Sequence, residues 1–207
     1  MKRIAVFVSG GGTDMQSIIN AVKRNRIKGE IVAVIASKPG IYALKRAEKH
    51  KIPSYVFERK NYVSPEKMYE EISRVLEEKN TDLIVLAGYL GILTENIVDK
   101  YRGKIINVHP SLIPKYCGKG YYGLNVHRAV LSAGEKVTGV TVHYVDEGTD
   151  TGEIISQKVV PVKKYDTAES LQARVLEEEH KILPETVARI CGGVNGRGKL
   201  KKLYKKH

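Results

Sequence analysis

Apolar runs and amphipathic stretches alternate along the first 110 residues of the chain. The runs are short and almost free of polar residues, as in strands that are buried on both faces of a parallel sheet. In the stretches between them, apolar residues recur at helical spacing. The predicted strands cover residues 4–8, 30–37, 54–57, 83–87 and 104–109. The predicted helices cover residues 15–22 and 42–51, one that starts at Pro65 behind the cap Ser64, and one that runs from the cap Thr94 to Tyr101.

The second half of the chain has a different pattern. Residues 137–145 alternate between two faces, and residues 154–162 have the pattern of a hairpin partner for that strand. A helix is predicted around residues 125–132, and Thr167 caps a long final helix that we expect Pro184 to interrupt. Together the two halves predict an α/β fold. It is a Rossmann-like, doubly wound mixed sheet, parallel in its N-terminal half, with a late antiparallel hairpin and helices on both faces.

Two polar residues end the strand that precedes Pro110. Side chains alternate along a strand, so Asn107 and His109 point to the same side at its carboxyl end, where open α/β sheets bind ligands. An amide can donate to a developing oxyanion, and an imidazole can give or take a proton near neutral pH. The pair therefore suits attack on a carbonyl group. An Asn at a strand end beside a His that is bonded to a backbone group would give the same pattern.

A glycine turn joins the first strand to the first helix. Its glycines, residues 10–12, expose backbone N–H groups at the positive end of that helix, which is a ready phosphate cradle. No Gly-Lys-Ser/Thr follows, so the turn is not a Walker loop, and Met15 replaces the third glycine of a dinucleotide fingerprint. A monophosphate is the better prediction. A tight turn in which Thr13 or Asp14 caps the helix explains the same residues equally well.

Composition narrows the class of protein. The 207 residues, 42% of them hydrophobic, suffice for one domain, with or without two lobes. No apolar segment reaches the roughly 18 residues of a membrane span, and the first strand follows Met1 too closely for a cleavable signal, so we expect a cytoplasmic protein. Cys117 and Cys191 form neither a disulfide framework nor a metal-ligand spacing. The net charge of +12 favours anionic ligands, and six Lys or Arg fall in residues 192–207.

The loop of residues 146–152 carries three carboxylates, those of Asp146, Glu147 and Asp150. Such a loop can bind Ca²⁺. The EF-hand pattern, however, requires a Glu at its twelfth position and flanking helices, and this segment has neither. We therefore expect no metal site.

Three motifs follow one another along the chain. They are the glycine turn, the stretch Asn107-Val108-His109-Pro110-Ser111-Leu112-Ile113-Pro114, and Gly139 with His143-Tyr144-Val145 and Asp150-Thr151-Gly152 downstream. Together they resemble the folate-dependent phosphoribosylglycinamide formyltransferases over about residues 4–190. The resemblance implies a formyltransferase-type sheet in a single domain, residues 1–191. In that domain residues 1–110 would hold the phosphoribosyl substrate and residues 111–191 the folate and the catalytic loop, with residues 192–207 as a basic tail.

The resemblance also implies a reaction. Members of this family move a formyl group from 10-formyltetrahydrofolate to the amine of phosphoribosylglycinamide, the third step of de novo purine synthesis, without a metal. The reaction passes through a tetrahedral adduct whose oxygen becomes negative. By this resemblance Asn107 would donate to that oxygen and His109 would lie beside it. Asp150 would hold the imidazole, raise its basicity and help to remove the amine proton.

The same resemblance assigns binding residues. Gly12, Thr13 and Asp14 would take the substrate phosphate, and Glu179 would bind the ribose hydroxyls. The folate would contact Leu90, Gly91, Ile92, Leu93, Asn107, Asp146, Glu147, Gly148, Thr149 and Asp150.

Three positions depart from the family pattern. Asp14 stands where the family often has Asn, and a carboxylate about 4 Å from a phosphate is repelled by roughly 1 kcal/mol in water. We therefore expect Asp14 to cap the helix and to face away. Gly91 and Pro65 stand where the family often has Arg. The loop of residues 115–123 is longer than in the shortest members, and we expect it to close over the phosphoribosyl substrate.

Two other interpretations stay open. Sibling enzymes with the same core, namely methionyl-tRNA formyltransferase, sugar-nucleotide formyltransferases and formyltetrahydrofolate hydrolase, resemble the same motifs, but the first usually carries a C-terminal domain and the hydrolase an N-terminal one. A nucleic-acid binder driven by the basic tail is less favoured, because no aromatic recognition motif accompanies those charges. We expect small-molecule substrates, no membrane partner, and either a monomer or a homodimer.

Overall fold

Strands and helices alternate through the computed structural model of the chain, which describes residues 1–192. The strands are β1 (Lys2–Val8), β2 (Gly29–Ala36), β3 (Ser54–Val56), β4 (Leu83–Leu86), β5 (Ile105–His109), β6 (Val137–Tyr144) and β7 (Ile154–Pro161). The helices are α1 (Thr13–Lys23), α2 (Tyr42–Lys49), α3 (Pro65–Glu78), α4 (Glu95–Lys100), α5 (Leu124–Ser132) and α6 (Ala168–Gly192).

The strands form one seven-stranded sheet in the order β3-β2-β1-β4-β5-β6-β7. The pairings from β3 to β5 are parallel, whereas β5 with β6 and β6 with β7 are antiparallel. This arrangement confirms the predicted mixed sheet with a late hairpin. The strand order reverses at β1, and in such sheets ligands bind outside the carboxyl ends of the strands at the reversal. The glycine turn after β1 and the segments after β4 and β5 therefore meet at one edge.

β1 divides the hydrophobic core into two layers. Ile4, Val6 and Val8 pack into the layer that contains α1 and α6, and Ala5 and Phe7 pack into the layer that contains α3 and α4. All five side chains are fully buried. The apolar run is therefore covered on both faces, as its composition predicts, and helices lie on both sides of the sheet.

Two of the side-chain caps predicted for α3, α4 and α6 are present. The Ser64 hydroxyl accepts a backbone N–H at the start of α3 at 3.3 Å, and the Thr167 hydroxyl does the same for α6 at 3.2 Å. The Thr94 prediction is wrong, because its hydroxyl is bonded to the side chain of Asn96 and does not cap α4. A side-chain acceptor two residues along has replaced the helix N–H as its partner.

The predicted interruption of the last helix at Pro184 is also wrong. The helix α6 continues from Ala168 to Gly192 with this proline inside it. A proline removes one backbone hydrogen bond from a helix. Leu183 and Val187, on either side of the ring, are fully buried in the core, and this packing offsets the lost bond.

None of the helices within residues 1–192 is both long and apolar enough to cross a membrane. The predicted basic tail, apart from Gly192 at the end of α6, lies outside the described residues. Cys117 and Cys191 are both free thiols.

Candidate active site

β5 carries the predicted amide and imidazole to the carboxyl edge of the sheet. Asn107 pairs with Leu86, the last residue of β4, and β5 continues past this point to His109. His109 is buried and Asn107 is half-buried. The two side chains therefore lie where the sheet gives way to the loops that cover its edge.

Asp150 lies against both side chains. Its Oδ1 accepts a hydrogen bond from Nδ2 of Asn107 at 3.3 Å, and its Oδ2 is 3.6 Å from Nδ1 of His109. Oδ2 also accepts the backbone N–H of Gly118 at 2.9 Å. The backbone of Asp150 has a φ of 59°, a left-handed conformation that Asp and Asn adopt more readily than other side chains. The structure thus brings together the three residues for which the resemblance implies a catalytic role.

A fourth polar side chain, His143 on β6, belongs to this cluster and was missed as a site residue. It lies opposite Asn107 in the antiparallel ladder and is buried. Its Nε2 is 3.2 Å from Nδ2 of Asn107 and 3.4 Å from Oδ1 of Asp150. The alternating pattern of β6 predicts only which face of the strand His143 lies on, and not which side chain it contacts. Its partner depends on the register between β5 and β6, which the local pattern does not contain.

Backbone carbonyls fix the tautomers of both imidazoles. Nε2 of His109 is 2.8 Å from the carbonyl oxygen of Tyr116, and Nδ1 of His143 is 2.7 Å from that of Tyr144. A carbonyl can only accept, so each of these nitrogens carries a hydrogen. When the rings are neutral, the opposite nitrogens, which face Asp150 and its amide partner, are lone-pair acceptors.

The acid of the cluster is ionised and the base is neutral. Burial alone would raise the pKa of Asp150, but the imidazoles of His143 and His109 and the N–H of Gly118 outweigh it and lower that pKa to about 2. Burial lowers the pKa of His109, although the charge of Asp150 opposes this effect. At neutral pH the cluster can therefore take up one proton between its carboxylate and its imidazole.

The loop of residues 115–123 lies over the cluster. It provides the carbonyl of Tyr116 for one imidazole and the N–H of Gly118 for the carboxylate. Burial and the charge of Asp150 both raise the pKa of Cys117, so this thiol is not activated as a nucleophile. Closure of the loop over a substrate stays a prediction.

The glycine turn has the form of an anion cradle. Gly12 is the N-cap of α1, with a φ of 70° and no side-chain cap, so the interpretation in which Thr13 or Asp14 caps the helix is wrong. A Cβ at Gly12 would lie 2.7 Å from the Cβ of Ala43, which leaves room for glycine only. The guanidinium of Arg46 in α2 donates a hydrogen bond to the carbonyl oxygen of Gly11 in this turn at 2.8 Å. The first N–H groups of α1 have no acceptor within the helix and are available to a ligand.

Asp14 points towards α6 instead of capping α1. Asp14 and Glu179 are both buried, each 8% exposed. Oδ1 of Asp14 is 3.7 Å from Nε2 of His180, and neither atom has a hydrogen-bond partner. Burial raises the pKa of Asp14 to about 7, and burial together with the charge of Asp14 raises that of Glu179. Because α6 packs along α1, residues from both predicted halves of the domain meet at the glycine turn.

Two segments predicted to bind a folate flank β5. Residues 90–93 follow β4, and residues 146–149 follow β6, so each segment leaves a strand that is paired with β5. Leu90 and Ile92 are 64% and 79% exposed and offer an apolar surface at the edge of the sheet. A Cβ at Gly91 would lie 2.6 Å from the ring of the preceding tyrosine, so a larger side chain there requires that ring to move.

The acidic loop after β6 is held by its own polar contacts. Glu147 accepts a hydrogen bond from Arg102 at 2.8 Å, and Asp146 accepts from the backbone of Gly148 at 3.1 Å and from Thr151 at 2.6 Å. Among the residues that the structure describes, no group of three or more His, Cys, Asp or Glu is arranged to hold a metal ion.

The glycine turn and the polar cluster around Asn107 lie along one edge of the sheet. Only β4 separates β1 from β5, so the two sites are about 10 Å apart at the usual spacing of strands. A small ligand that places a phosphate at the turn can therefore present a reactive group to Asn107 and His109.

The chain is similar to a known family. The pattern described as formyl transferase matches residues 2–187. The phosphoribosylglycinamide formyltransferase of Haemophilus influenzae is 43% identical over 184 residues, which are 89% of this chain and 84% of that protein. The enzyme of the same name from Bacillus subtilis is 38% identical over 198 residues, which are 96% of this chain and 98% of that protein.

Longer relatives and solved structures agree with this match. The trifunctional purine biosynthetic protein adenosine-3 of Gallus gallus is 42% identical over 201 residues, but the chain spans only 20% of that protein's length. The crystal structure of glycinamide ribonucleotide transformylase 1 from Geobacillus kaustophilus has a TM-score of 0.88 at 39% identity and covers 93% of this chain and 100% of its own. The sheet order and the late hairpin are therefore those of a known group of transferases.

Proposed function

The chain belongs to the formyl transferase family, and we propose that it transfers the formyl group of 10-formyltetrahydrofolate to the amine of 5-phosphoribosylglycinamide. Relatives that the chain spans almost end to end are phosphoribosylglycinamide formyltransferases, which supports this choice of acceptor. Membership of the family implies a folate-derived formyl donor. The reaction is the third step of de novo purine synthesis.

The contact between Asp150 and the neutral imidazole of His109, beside the amide of Asn107, is the observation that carries the proposal. Formyl transfer needs a donor for an oxyanion and an acceptor for a proton at the same carbon. The amide supplies the first, and the carboxylate–imidazole pair supplies the second.

The first step forms a tetrahedral adduct. The amine nitrogen of the ribotide attacks the formyl carbon, and the carbonyl oxygen takes the negative charge. Nδ2 of Asn107 has two N–H groups, one directed at Asp150 and the other at His143, and the first of them turns to the oxyanion. A donor of this kind typically contributes about 10²–10³ in rate.

The second step moves one proton. The attacking nitrogen of the adduct is positively charged, and Nδ1 of His109 accepts its proton. The imidazolium then donates through one nitrogen to Asp150 and through the other to the carbonyl of Tyr116. The adduct re-forms its carbonyl as the bond to N10 of the folate breaks, and N10 takes the proton from the imidazolium. His109 is then neutral again, as at the start.

The other predicted residues hold the two substrates. The N–H groups at residues 12–14 bind the phosphate, and Glu179 accepts hydrogen bonds from the ribose hydroxyls. The exposed Leu90 and Ile92 pack against the pteridine ring, and the backbone of residues 146–149 bonds to its polar edge. In this proposal the ribotide site and the folate site interleave, since each draws on both halves of the domain.

The reaction can be tested directly with purified protein. We expect formylated ribotide and tetrahydrofolate to appear together when both substrates are present, as followed by mass spectrometry. Ribose 5-phosphate, which keeps the phosphate and the sugar but has no amine, should give no product. Release of formate at the same rate with and without the ribotide would indicate a formyltetrahydrofolate hydrolase instead. Transfer only to a different amine would indicate a sibling transferase.

A further inference from the structure

Asp14 and Glu179 form a buried acid pair that the formyl-transfer chemistry does not use. The two side chains are enclosed where α1 packs against α6. Oδ1 of Asp14 is shielded from solvent and has no donor, and Nε2 of His180, which faces it at 3.7 Å, is equally unpartnered. A carboxylate in this position would have lost its hydration without gaining a hydrogen bond, which disfavours the charged form.

The groups that face Asp14 do not supply a compensating charge above neutral pH. From α6 come Glu179, an acid, and His180, whose pKa is lowered by burial and by the charge of Arg46. From α2 comes Arg46 itself, whose guanidinium donates to a carbonyl of the glycine turn and to Gln16 at 3.3 Å and, within the described residues, forms no ion pair with Asp14. The first turn of α1 adds no other charged side chain. Loss of a proton from Asp14 therefore leaves an unbalanced negative charge.

The ribotide adds further negative charge at this place. Its phosphate, in the proposed site, lies on the first N–H groups of α1, and Asp14 is the second residue of that helix. Ionised Asp14 and Glu179 would then stand beside a phosphate dianion, and like charges at such distances repel strongly in a desolvated site. A neutral carboxylic acid removes one of these charges and offers an O–H donor in place of the unpartnered oxygen.

We propose that the ribotide binds the form of the protein in which Asp14 is a neutral carboxylic acid, so that this residue makes the affinity for the ribotide, and not that for the folate, fall as the pH rises above neutrality. The inference rests on the proposed ribotide site. Binding that requires one protonated group weakens by about tenfold for each pH unit above the pKa of that group. Burial raises the pKa of Asp14 to about 7, so this loss begins near neutral pH.

The test compares the unmodified protein with Asp14→Asn. Asparagine keeps the size and a hydrogen-bond donor but cannot ionise. Dissociation constants for ribose 5-phosphate and for phosphoribosylglycinamide are measured by titration calorimetry from about pH 6 to about pH 9. At each pH, the dissociation constant of the unmodified protein is divided by that of Asp14→Asn for the same ligand. The titration of the ligand affects both constants equally and cancels in this ratio. We expect this ratio to be constant below neutral pH and to change by about tenfold per pH unit above it, with folate affinity unaffected.

Two further measurements complete the test. Glu177→Gln removes the same charge from an exposed position on α6 and should follow the unmodified protein at every pH. Calorimetry of the unmodified protein in two buffers of different ionisation enthalpy should show close to one proton taken up with the ribotide at about pH 8 and none at about pH 6. This readout does not depend on whether Asp14→Asn folds.

The possible outcomes separate the two proposals. Ribotide binding with a constant ratio, or with no proton uptake at about pH 8, overturns the role of Asp14 and leaves the proposed function standing. Absence of ribotide binding by both proteins at every pH overturns the proposed function, and the role of Asp14 falls with it.

Discussion

Two carboxylates at the edge of the same sheet end in opposite charge states. The side chains of Asp150 and Asp14 are equally covered, each 11% exposed. The pKa of Asp150 is nevertheless lowered to about 2, whereas that of Asp14 is raised to about 7. Burial by itself therefore does not decide whether an acid in this protein is charged.

The neighbours of each carboxylate decide it. Asp150 accepts a backbone N–H from Gly118, accepts from Asn107 and faces two imidazoles, so its charge is stabilised in place. Asp14 has one oxygen that accepts no hydrogen bond, and its nearby acid, Glu179 on α6, brings a second carboxyl group of the same charge. The first arrangement keeps a negative charge for the proposed proton transfer, and the second keeps a proton beside the proposed phosphate site.

The largest expected effect comes from Asp150→Asn. Asparagine tolerates the left-handed backbone at this position, so the loop should keep its shape. The change removes the charge that holds the proton on His109, and we expect kcat of formyl transfer to fall by about 10²–10⁴. The measurement is kcat at saturating substrates, together with a circular dichroism melt to confirm that the protein is folded.

Glu153→Gln is the matched control for this change. It neutralises an exposed acid just beyond the same loop, and kcat should remain unchanged. A folded Asp150→Asn protein with a kcat close to that of the unmodified protein would show that the charged acid has no part in the proposed reaction.

The two sites also differ in how far sequence could predict them. Asn107 and His109 follow from an apolar run that ends before a proline, since strand alternation alone puts them on one side. The part played by His143 depends on a register across a hairpin, and the burial of Asp14 depends on how α6 packs on α1. Such contacts join residues that are distant in sequence, so local patterns cannot contain them.

The fold shows the same limit on a smaller scale. Apolar runs and helical spacing predicted the strands, the mixed sheet and its late hairpin, because a strand that is buried on both faces consists almost entirely of apolar residues. The predictions that failed concern Thr94, Asp14 and Pro184, where a competing side chain or the packing of α6 outweighed local preference.

The next largest effect is expected from Asp14→Asn on stability. The pKa of Asp14 is raised in the folded state, so its contribution to stability is fully present below about pH 4 and is lost as the pH rises towards 7. Asparagine does not titrate. The free energy of unfolding of Asp14→Asn, relative to that of the unmodified protein, should therefore rise between about pH 4 and about pH 8 by as much as about 4 kcal/mol. Urea unfolding at both pH values measures the difference.

Asp150→Asn provides the contrast for this experiment. The pKa of Asp150 is lowered in the folded state, so its contribution is present above about pH 4 and is lost as the pH falls towards 2. The asparagine variant at position 150 should therefore lose stability relative to the unmodified protein as the pH rises from about 2 to about 4, and should then stay level from about pH 4 to about pH 8, where Asp14→Asn gains stability. Equal pH dependence in the two variants would remove the distinction between the sites.

The smallest expected effect concerns how the charged site is held, and it comes from Arg102→Ala. Arg102 is exposed and joins α4 to the acidic loop through Glu147. Without this ion pair the loop that carries Asp150 has one fewer anchor, but exposed pairs contribute little, so the KM for the folate should rise by at most about fivefold. Lys100→Ala breaks a similar exposed pair with Glu77, away from the loop, and should leave this KM unchanged. A large loss of kcat in Arg102→Ala alone would mean that the surface pair positions the acid, and that Gly118 and the imidazoles are not sufficient to do so.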